Sequence, residues 1–373
     1  MPATIADVAR RARVSTATVS RVLAGMGGAR PETRERILAA AHELEYRPSA
    51  VARSLRQGTT KSLGLIITDI ENPFFPQLVR AVEDAAREQG YAVLLCNASD
   101  DPERESGYLD LLVERRVDGV IIAASSLGGR HREWLTDPPL PVVLVNSVAR
   151  GVHLPSITSD NRLGGRLAAE HLLALGHRRL AVLTAGPRNA DAPDRLAGVR
   201  RATHAAGIAD RDLVVRMGEP DVRGGEAAAT EVLEQCPDVT GIVAYNDLMA
   251  IGAMRAVRAR GLDVPGQVSV IGFDDVPIAP YTDPPLTTIA QEIGALGAWA
   301  VARLVERLAA DSGEALLGAS GSGASGRPGA AGTAVTVGTA VAAGTVAAPV
   351  RAIVAVRLVE RSSTGPVAAA VRG

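Results

Sequence analysis

From Leu63 onward, short apolar runs alternate with longer amphipathic segments, and this alternation constrains the fold more than any other feature of the sequence. The runs have the length of buried strands and the segments have the period of helices, which is typical of βαβ units on a parallel sheet. A second series begins at Asn161, so we predict two open sheets, two lobes and a cleft. The predicted strands are 63–67, 92–96, 119–123 and 142–145 in the first series, and 180–184, 213–216, 241–244 and 268–272 in the second. The predicted helices are 75–89, 104–115, 162–175, 195–206, 224–235 and 247–260.

Polar residues follow many of these apolar runs. In open α/β sheets, ligands bind beyond the carboxyl ends of the strands, so these residues are candidates for ligand binding. An Asp or Asn after a strand can equally be a helix cap, and a Phe there can belong to the core. Because such residues follow strands in both series, we favour a binding cleft. The candidates are Asp69 with 72–75, Asn146, 160–161, 245–247 and 272–275, together with Arg195, a possible bidentate donor to hydroxyls or a carboxylate.

The first 23 residues have the pattern of two short helices joined by a tight turn. Thr4 and Asp7 predict a capping box at the first helix, and Ser15 predicts an N-cap for the second. Apolar spacing predicts that Val19, Val22 and Leu23 face inward. The outward positions are then those from which a helix in the DNA major groove reaches base edges and phosphates: Thr16, Ala17, Ser20 and Arg21. A third helix is predicted over 31–44.

The charge of the chain is distributed unevenly. Residues 1–61 carry eleven basic and five acidic side chains, a net charge of +6, whereas the whole chain has a charge of −1 and the remainder therefore −7. A basic end on an acidic body is typical of a protein that presents one end to phosphate backbones. A three-helix bundle that binds protein would explain the apolar spacing but not the outward Arg21 or this charge.

Three motifs resemble the head and hinge of the lactose-repressor/galactose-repressor family of bacterial transcription regulators: Thr4-Ile-x-Asp-Val-Ala, Val14-Ser-x-x-Thr-Val-Ser-Arg-Val-Leu23 and Tyr46-Arg-Pro-Ser-Ala-Val-Ala-Arg-Ser-Leu55. The rest of the chain resembles the same family along most of its length. The resemblance implies a hinge helix near 48–55, which pairs with that of a second subunit in the minor groove and wedges a base step open with its apolar side chain. The implied DNA-binding residues are Thr4, Ser15, Thr16, Ala17, Thr18, Ser20, Arg21, Ser49, Ala52, Leu55 and Arg56.

The resemblance also implies an effector site in the cleft, often for a sugar. Phe74, Phe75, Asn146, Arg195, Asn246 and Asp274 match the family positions, and we add Asp69 and Asn161 from the ends of the predicted strands. This sequence departs from the family pattern in two pairs of positions. In the head, Arg13 stands where the family usually has Gly, and Arg30 stands where it usually has a capping Ser. In the cleft, Asn146 stands where the family usually has Asp, and Pro220 stands where it usually has an aromatic residue.

We therefore expect an α/β protein with an all-α helix-turn-helix head, a short hinge helix and a two-lobed body resembling periplasmic binding proteins, in which helices flank parallel sheets. The expected boundaries are 1–46 for the head, 47–61 for the hinge and linker, 62–160 plus 291–311 for the first lobe, 161–290 plus 350–366 for the second lobe, and 312–349 for a Gly/Ala-rich low-complexity insertion.

The expected function is repression of transcription by a homodimer that binds a palindromic double-stranded DNA operator and responds to a small effector, a sugar or sugar derivative. We expect no catalytic residues, metal, cofactor or membrane partner, and we expect reduced Cys96 and Cys236 in a cytoplasmic protein without a leader. Two alternatives share the two-lobed body. A periplasmic-type solute-binding protein would lack the head, and an α/β enzyme would need a nucleophile elbow, phosphate loop or metal-ligand cluster.

Overall fold

The computed structural model describes residues 3–23, 29–46, 58–124, 130–147, 154–311, 335–338 and 351–367. The chain forms two compact units, Met1–Lys61 and Ser62–Gly373. The first unit contains three helices: α1 Ile5–Ala12, α2 Thr16–Leu23 and α3 Pro31–Glu43. Val8, Val19 and Ile37, one from each helix, are fully buried against one another in a small core.

The ends of the head helices follow from local chemistry. Thr4 and Asp7 form the predicted capping box, and Ser15 Oγ accepts the Thr18 N–H at 3.2 Å, so both predicted caps are confirmed. Arg13 ends α1 in the left-handed region, with φ 54° and ψ 49°. The turn therefore keeps a backbone that favours glycine, at a cost of about 1 kcal/mol. Arg30 supplies no side-chain cap to α3, as its residue type predicts.

The second unit contains two sheets, each flanked by helices. The first-lobe sheet consists of β1 Ser62–Ile67, β2 Ala92–Asn97, β3 Gly119–Ala123, β4 Val142–Val145, β5 Ser156–Ser159, β11 Val335–Gly338 and β12 Arg351–Val354. The second-lobe sheet consists of β6 Leu180–Thr184, β7 Val214–Met217, β8 Gly241–Ala244, β9 Ser269–Asp274, β10 Thr287–Gln291 and β13 Val356–Val359. The order of the seven strands in the first lobe is β11-β12-β5-β4-β3-β1-β2, and that of the six strands in the second lobe is β13-β10-β9-β8-β6-β7.

Most strand pairs are parallel, and the helices between them cover the sheet faces. Only the pairs of β11 with β12 and of β10 with β13 are antiparallel among the described strands. The helices are α4 Phe74–Glu88, α5 Pro102–Glu114, α6 Arg130–Thr136, α7 Asn161–Ala174, α8 Ala192–Ala205, α9 Val222–Gln235, α10 Asp247–Ala259 and α11 Ile293–Asp311. Each lobe has a buried core on both faces of its sheet.

The chain passes between the lobes at three points, after β5, after β10 and after β12. We expected 350–366 to belong wholly to the second lobe. Instead, β12 pairs with β5 in the first-lobe sheet, and only β13 joins the second-lobe sheet. A strand at 335–338 also lies within the segment expected to be a low-complexity insertion. The strand β5 was missed because its sequence, Ser-Ile-Thr-Ser, contains no apolar run.

Cys96 and Cys236 are free thiols. In the part of the chain that the structure describes, no helix combines the length and apolarity needed to cross a lipid bilayer.

Candidate nucleic-acid interface and ligand cleft

The outward face of α2 has the side chains that the sequence predicts. Thr16, Ala17 and Arg21 are exposed and Ser20 is partly buried, whereas Val19 and Val22 lie in the core. Because the apolar face is fixed against α1 and α3, the opposite face of α2 is held ready for contact with a groove. The side chain of Arg21 can reach bases or phosphates at no cost to the core.

Three other predicted DNA-binding side chains take part in the helix caps. The Thr4 hydroxyl donates to Asp7 Oδ2 at 2.7 Å. Ser15 and Thr18 share a hydrogen bond of 2.9 Å between their hydroxyls. Their predicted contacts with DNA would have to coexist with these caps or replace them. Four further predicted residues, Ser49, Ala52, Leu55 and Arg56, lie outside the described residues.

A cleft of about 660 Å³ lies at the carboxyl ends of the strands, and both lobes line it. Seven of the eight predicted effector residues line this cleft: Asp69, Phe74, Phe75, Asn146, Arg195, Asn246 and Asp274. Asn161 is not among the lining residues; its Oδ1 instead accepts the Arg195 Nε–H at 2.9 Å. The structure thus shows Asn161 as a support for Arg195, and its contact with a ligand stays a prediction.

The first lobe supplies an apolar wall to the cleft. Phe74 and Phe75 begin α4, and their rings meet edge to face with centroids 5.2 Å apart. Asn72 Oδ1 fixes the start of this helix by accepting the Phe74 N–H at 3.0 Å. Both rings are also part of the first-lobe core. Phe74 and Phe75 are therefore core residues that also line the cleft.

Arg195 is buried in the second lobe and held on several sides. Its Nη2 donates to Asp191 Oδ2 and its Nη1 to the Tyr245 carbonyl oxygen, both at 2.6 Å. Its guanidinium carbon lies 3.7 Å from the centre of the Phe273 ring, a cation–π contact. Burial opposes the charge and is the largest single influence, but Asp191, Tyr245, Asp274 and Asp247 together outweigh it, and the pKa of Arg195 is raised. Arg195 is therefore a charged, preorganised donor.

The backbone of Arg195 is placed by close packing of α7 on α8. A Cβ at Gly165 of α7 would lie 1.9 Å from the Arg195 carbonyl oxygen. Only a residue without a side chain permits this approach. The position of the guanidinium in the cleft thus depends on a glycine that lies outside it.

Asp274 ends β9 and faces Arg195. Its Oδ1 accepts the Gln291 Nε2–H at 2.6 Å and lies 3.9 Å from Arg195 Nη1. Burial raises the pKa of Asp274 to about 7, although Arg195 and the hydrogen bond from Gln291 oppose the rise. This carboxyl group can therefore change its charge near neutral pH.

Asn246 and Asp69 each combine lining with a local structural role. Asn246 caps α10 by accepting the Met249 N–H and donates to the Pro220 carbonyl oxygen, both at 2.8 Å. Asp69 Oδ1 accepts the Glu71 N–H at 3.0 Å. The helix-cap alternative is thus correct for Asn246, which still forms part of the cleft wall.

Sequence reasoning missed two polar residues of the cleft, Asp191 and Gln291. Asp191 accepts hydrogen bonds from Arg195 and from the Tyr245 hydroxyl, the latter at 2.7 Å. It was not predicted, because it does not directly follow an apolar run. Gln291 ends β10 and joins residues of both lobes. A rule that includes every polar residue at the end of a strand would have found Gln291 but not Asp191.

Two family models match the chain. The model for bacterial regulatory proteins, lacI family, matches residues 4–49, and the model for periplasmic binding proteins and sugar binding domain of LacI family matches residues 60–316. The chain belongs to the lacI family of bacterial regulatory proteins. It is a DNA-binding transcriptional regulator, and no enzyme family is indicated by its relatives.

Relatives and solved structures of the lacI family match most of the chain. The HTH-type transcriptional regulator GalR of Escherichia coli (strain K12) is 39% identical, over 78% of this chain and 85% of the relative. The ribose operon repressor of Halalkalibacterium halodurans is 38% identical, over 82% of this chain and 90% of the relative. A crystal structure of the lac repressor dimer bound to operator and the anti-inducer ONPF is 28% identical, with a TM-score of 0.79, 98% of this chain covered and 100% of that chain.

Proposed function

We propose that this lacI-family regulator is a repressor that binds a palindromic operator as a homodimer and changes its affinity when a small, uncharged polar ligand, a sugar or sugar derivative, occupies the cleft. The observation that carries the proposal is the presence, on one chain, of an outward-facing α2 with Arg21 and a polar cleft with buried Arg195 and Asp274. Two heads related by a twofold axis read two half-sites, which is why a dimer requires a palindrome.

The charge of the cleft supports an uncharged ligand. Its lining contains seven acidic side chains and two arginines, and Arg195 is already paired with Asp191. A phosphate or carboxylate would be repelled, whereas hydroxyl groups can donate to the acids and accept from Arg195. The acids are Asp69, Glu71, Asp100, Asp191, Glu219, Asp221 and Asp274, and the second arginine is Arg223.

The homodimer is supported by the lac repressor structure, which is a dimer on its operator. In this chain, Leu94 and Leu95 on the sheet-edge strand β2 are 37% and 44% exposed. Apolar side chains on an edge strand favour contact with a second copy over exposure to water. We assign this regulator to the cytoplasm, where the operator is accessible.

Selection of DNA tests the proposed function. The full-length protein is incubated with a pool of random double-stranded DNA, and the retained fragments are sequenced. We expect enrichment of one palindromic sequence that binds at least about 10³-fold tighter than random DNA at the same salt concentration. Retention without sequence enrichment would overturn the proposal and leave a protein that binds phosphate backbones only.

A further inference from the structure

A path of buried hydrogen bonds connects the two lobes within the lining of the cleft. Asn146 Nδ2, from the end of β4, donates to Gln291 Oε1 at 3.2 Å. Gln291 Nε2, at the end of β10, donates to Asp274 Oδ1 at 2.6 Å. The three side chains are only 5–8% exposed, so the path joins a first-lobe strand to a second-lobe strand away from bulk water.

The direction of this path is fixed by a backbone group. The Ser159 N–H donates to Asn146 Oδ1 at 3.0 Å, and a backbone N–H can only donate. The Asn146 amide must therefore present its NH₂ group to Gln291, and Gln291 must accept with Oε1 and donate with Nε2. The Ser159 hydroxyl also binds Gln291 Oε1, at 2.5 Å, but a hydroxyl can donate or accept and cannot set the direction alone.

We propose that Asn146 is a positioning residue for the ligand cleft: acting through Gln291, it holds Asp274 as a hydrogen-bond acceptor for the ligand. Asn146 lies in the first lobe and is separated from Asp274 by the whole Gln291 amide. Its backbone has φ 47°, a conformation that Asn tolerates better than most residues. With this arrangement the cleft selects ligands that offer O–H or N–H donors to Asp274.

The reverse arrangement shows why Asn matters. A carboxylate at position 146 has only acceptors, so Gln291 would have to turn its Nε2 toward the first lobe and its Oε1 toward Asp274. Asp274 would then have to be protonated in order to donate to that oxygen. A single amide-to-carboxylate change would thus alter the hydrogen-bonding role of a side chain that it does not touch.

Other charged and titratable groups also act on Asp274. Arg195 of α8 favours its ionised form, whereas Asp191, which precedes α8, opposes it. Asp247 of α10 and Tyr245 are also coupled to Asp274. The test must therefore change the direction of the path while leaving all four of these groups in place.

The test is the titration of Asp274 in the full-length, ligand-free protein, labelled with ¹³C in the Asp carboxyl groups and followed by NMR. The Asp274→Asn variant assigns the signal. Asn146→Asp should raise the proton affinity of Asp274 about tenfold or more, because the donor from Gln291 is lost and a charge is added. Asn146→Gly, which suits the positive φ and adds no charge, should raise it about threefold.

Ser159→Ala is the matched control, because it removes one bond to Gln291 and retains the backbone donor to Asn146. It should leave the Asp274 titration unchanged. If Asn146→Asp shifted the Asp274 titration and Asn146→Gly did not, charge alone would be acting and the proposal would be overturned. A shift of the Asp274 titration in Ser159→Ala equal to that in Asn146→Gly would also overturn it. The ligand preference rests on the proposed function, but this titration needs neither ligand nor DNA, so either proposal can fail alone.

Discussion

At the scale of single residues, the rule that polar residues follow strands predicted the cleft well. It identified Asn146, Asn246 and Asp274, which all line the cleft, because the carboxyl ends of parallel strands lie at one edge of a sheet. It could not identify Asp191, whose importance comes from its contacts with Arg195 and Tyr245. Nor could it distinguish Asn161 as a support for Arg195 from a ligand contact, since both roles require the same side chain at the same strand end.

Asp274 makes the stability of the second lobe depend on pH. Its folded pKa of about 7 lies above its ordinary value of 3.8, so the folded protein retains a proton that the unfolded chain loses. Stability should therefore fall as the pH rises from about 4 to about 7, by about 4 kcal/mol at most. Asp274→Asn should lack this contribution. Urea unfolding of both proteins at several pH values checks this, and parallel curves would contradict it.

Arg21 belongs to the DNA interface and not to the core. Arg21→Ala should weaken specific operator binding by about 1–3 kcal/mol and leave the thermal unfolding of the head unchanged. Arg36, exposed on α3, provides a matched control, because Arg36→Ala removes the same charge from another helix. Binding assays with operator and random DNA at one salt concentration make the comparison. Equal losses for the two variants would mean that Arg21 contributes charge only.

At the scale of secondary structure, the long apolar strands were predictable and the short polar ones were not. β3 and β4 are fully buried apolar runs. A continuous apolar run predicts burial on both faces of a sheet, so these strands could be predicted from the sequence. β5 and β12 are short and rich in polar or alternating residues; they become strands through pairing with each other. Pairing between segments almost 200 residues apart leaves no local signal in a sequence.

The packing of α7 on α8 should control both stability and the cleft. Gly165→Ala places a methyl group against the Arg195 backbone, so the helices must separate and Arg195 must move. We expect a loss of stability of about 1–3 kcal/mol and weaker ligand binding. Gly107→Ala in α5, where a Cβ meets nothing within 4 Å, should be neutral or stabilising. Thermal unfolding of both variants is the measurement; similar melting temperatures would show that the contact is dispensable.

At the scale of the whole molecule, the proposed regulator carries a head that binds DNA and a cleft that binds a ligand. The two functions need not share residues, because a ligand that binds one state of the body more tightly shifts the population of that state. A variant defective in the cleft should therefore keep its affinity for DNA and lose only the response. This separation distinguishes a ligand-controlled regulator from a DNA-binding protein with an unused cleft.

Operator affinity in the presence of neutral monosaccharides and disaccharides tests this coupling most directly. The wild type and Asp274→Ala are compared on the selected operator, at one salt concentration and pH. We predict that at least one sugar changes the affinity of the wild type about tenfold, while Asp274→Ala binds the operator equally well without sugar and does not respond. An unchanged response in Asp274→Ala, or a wild type whose affinity no sugar in the panel alters, would contradict the account.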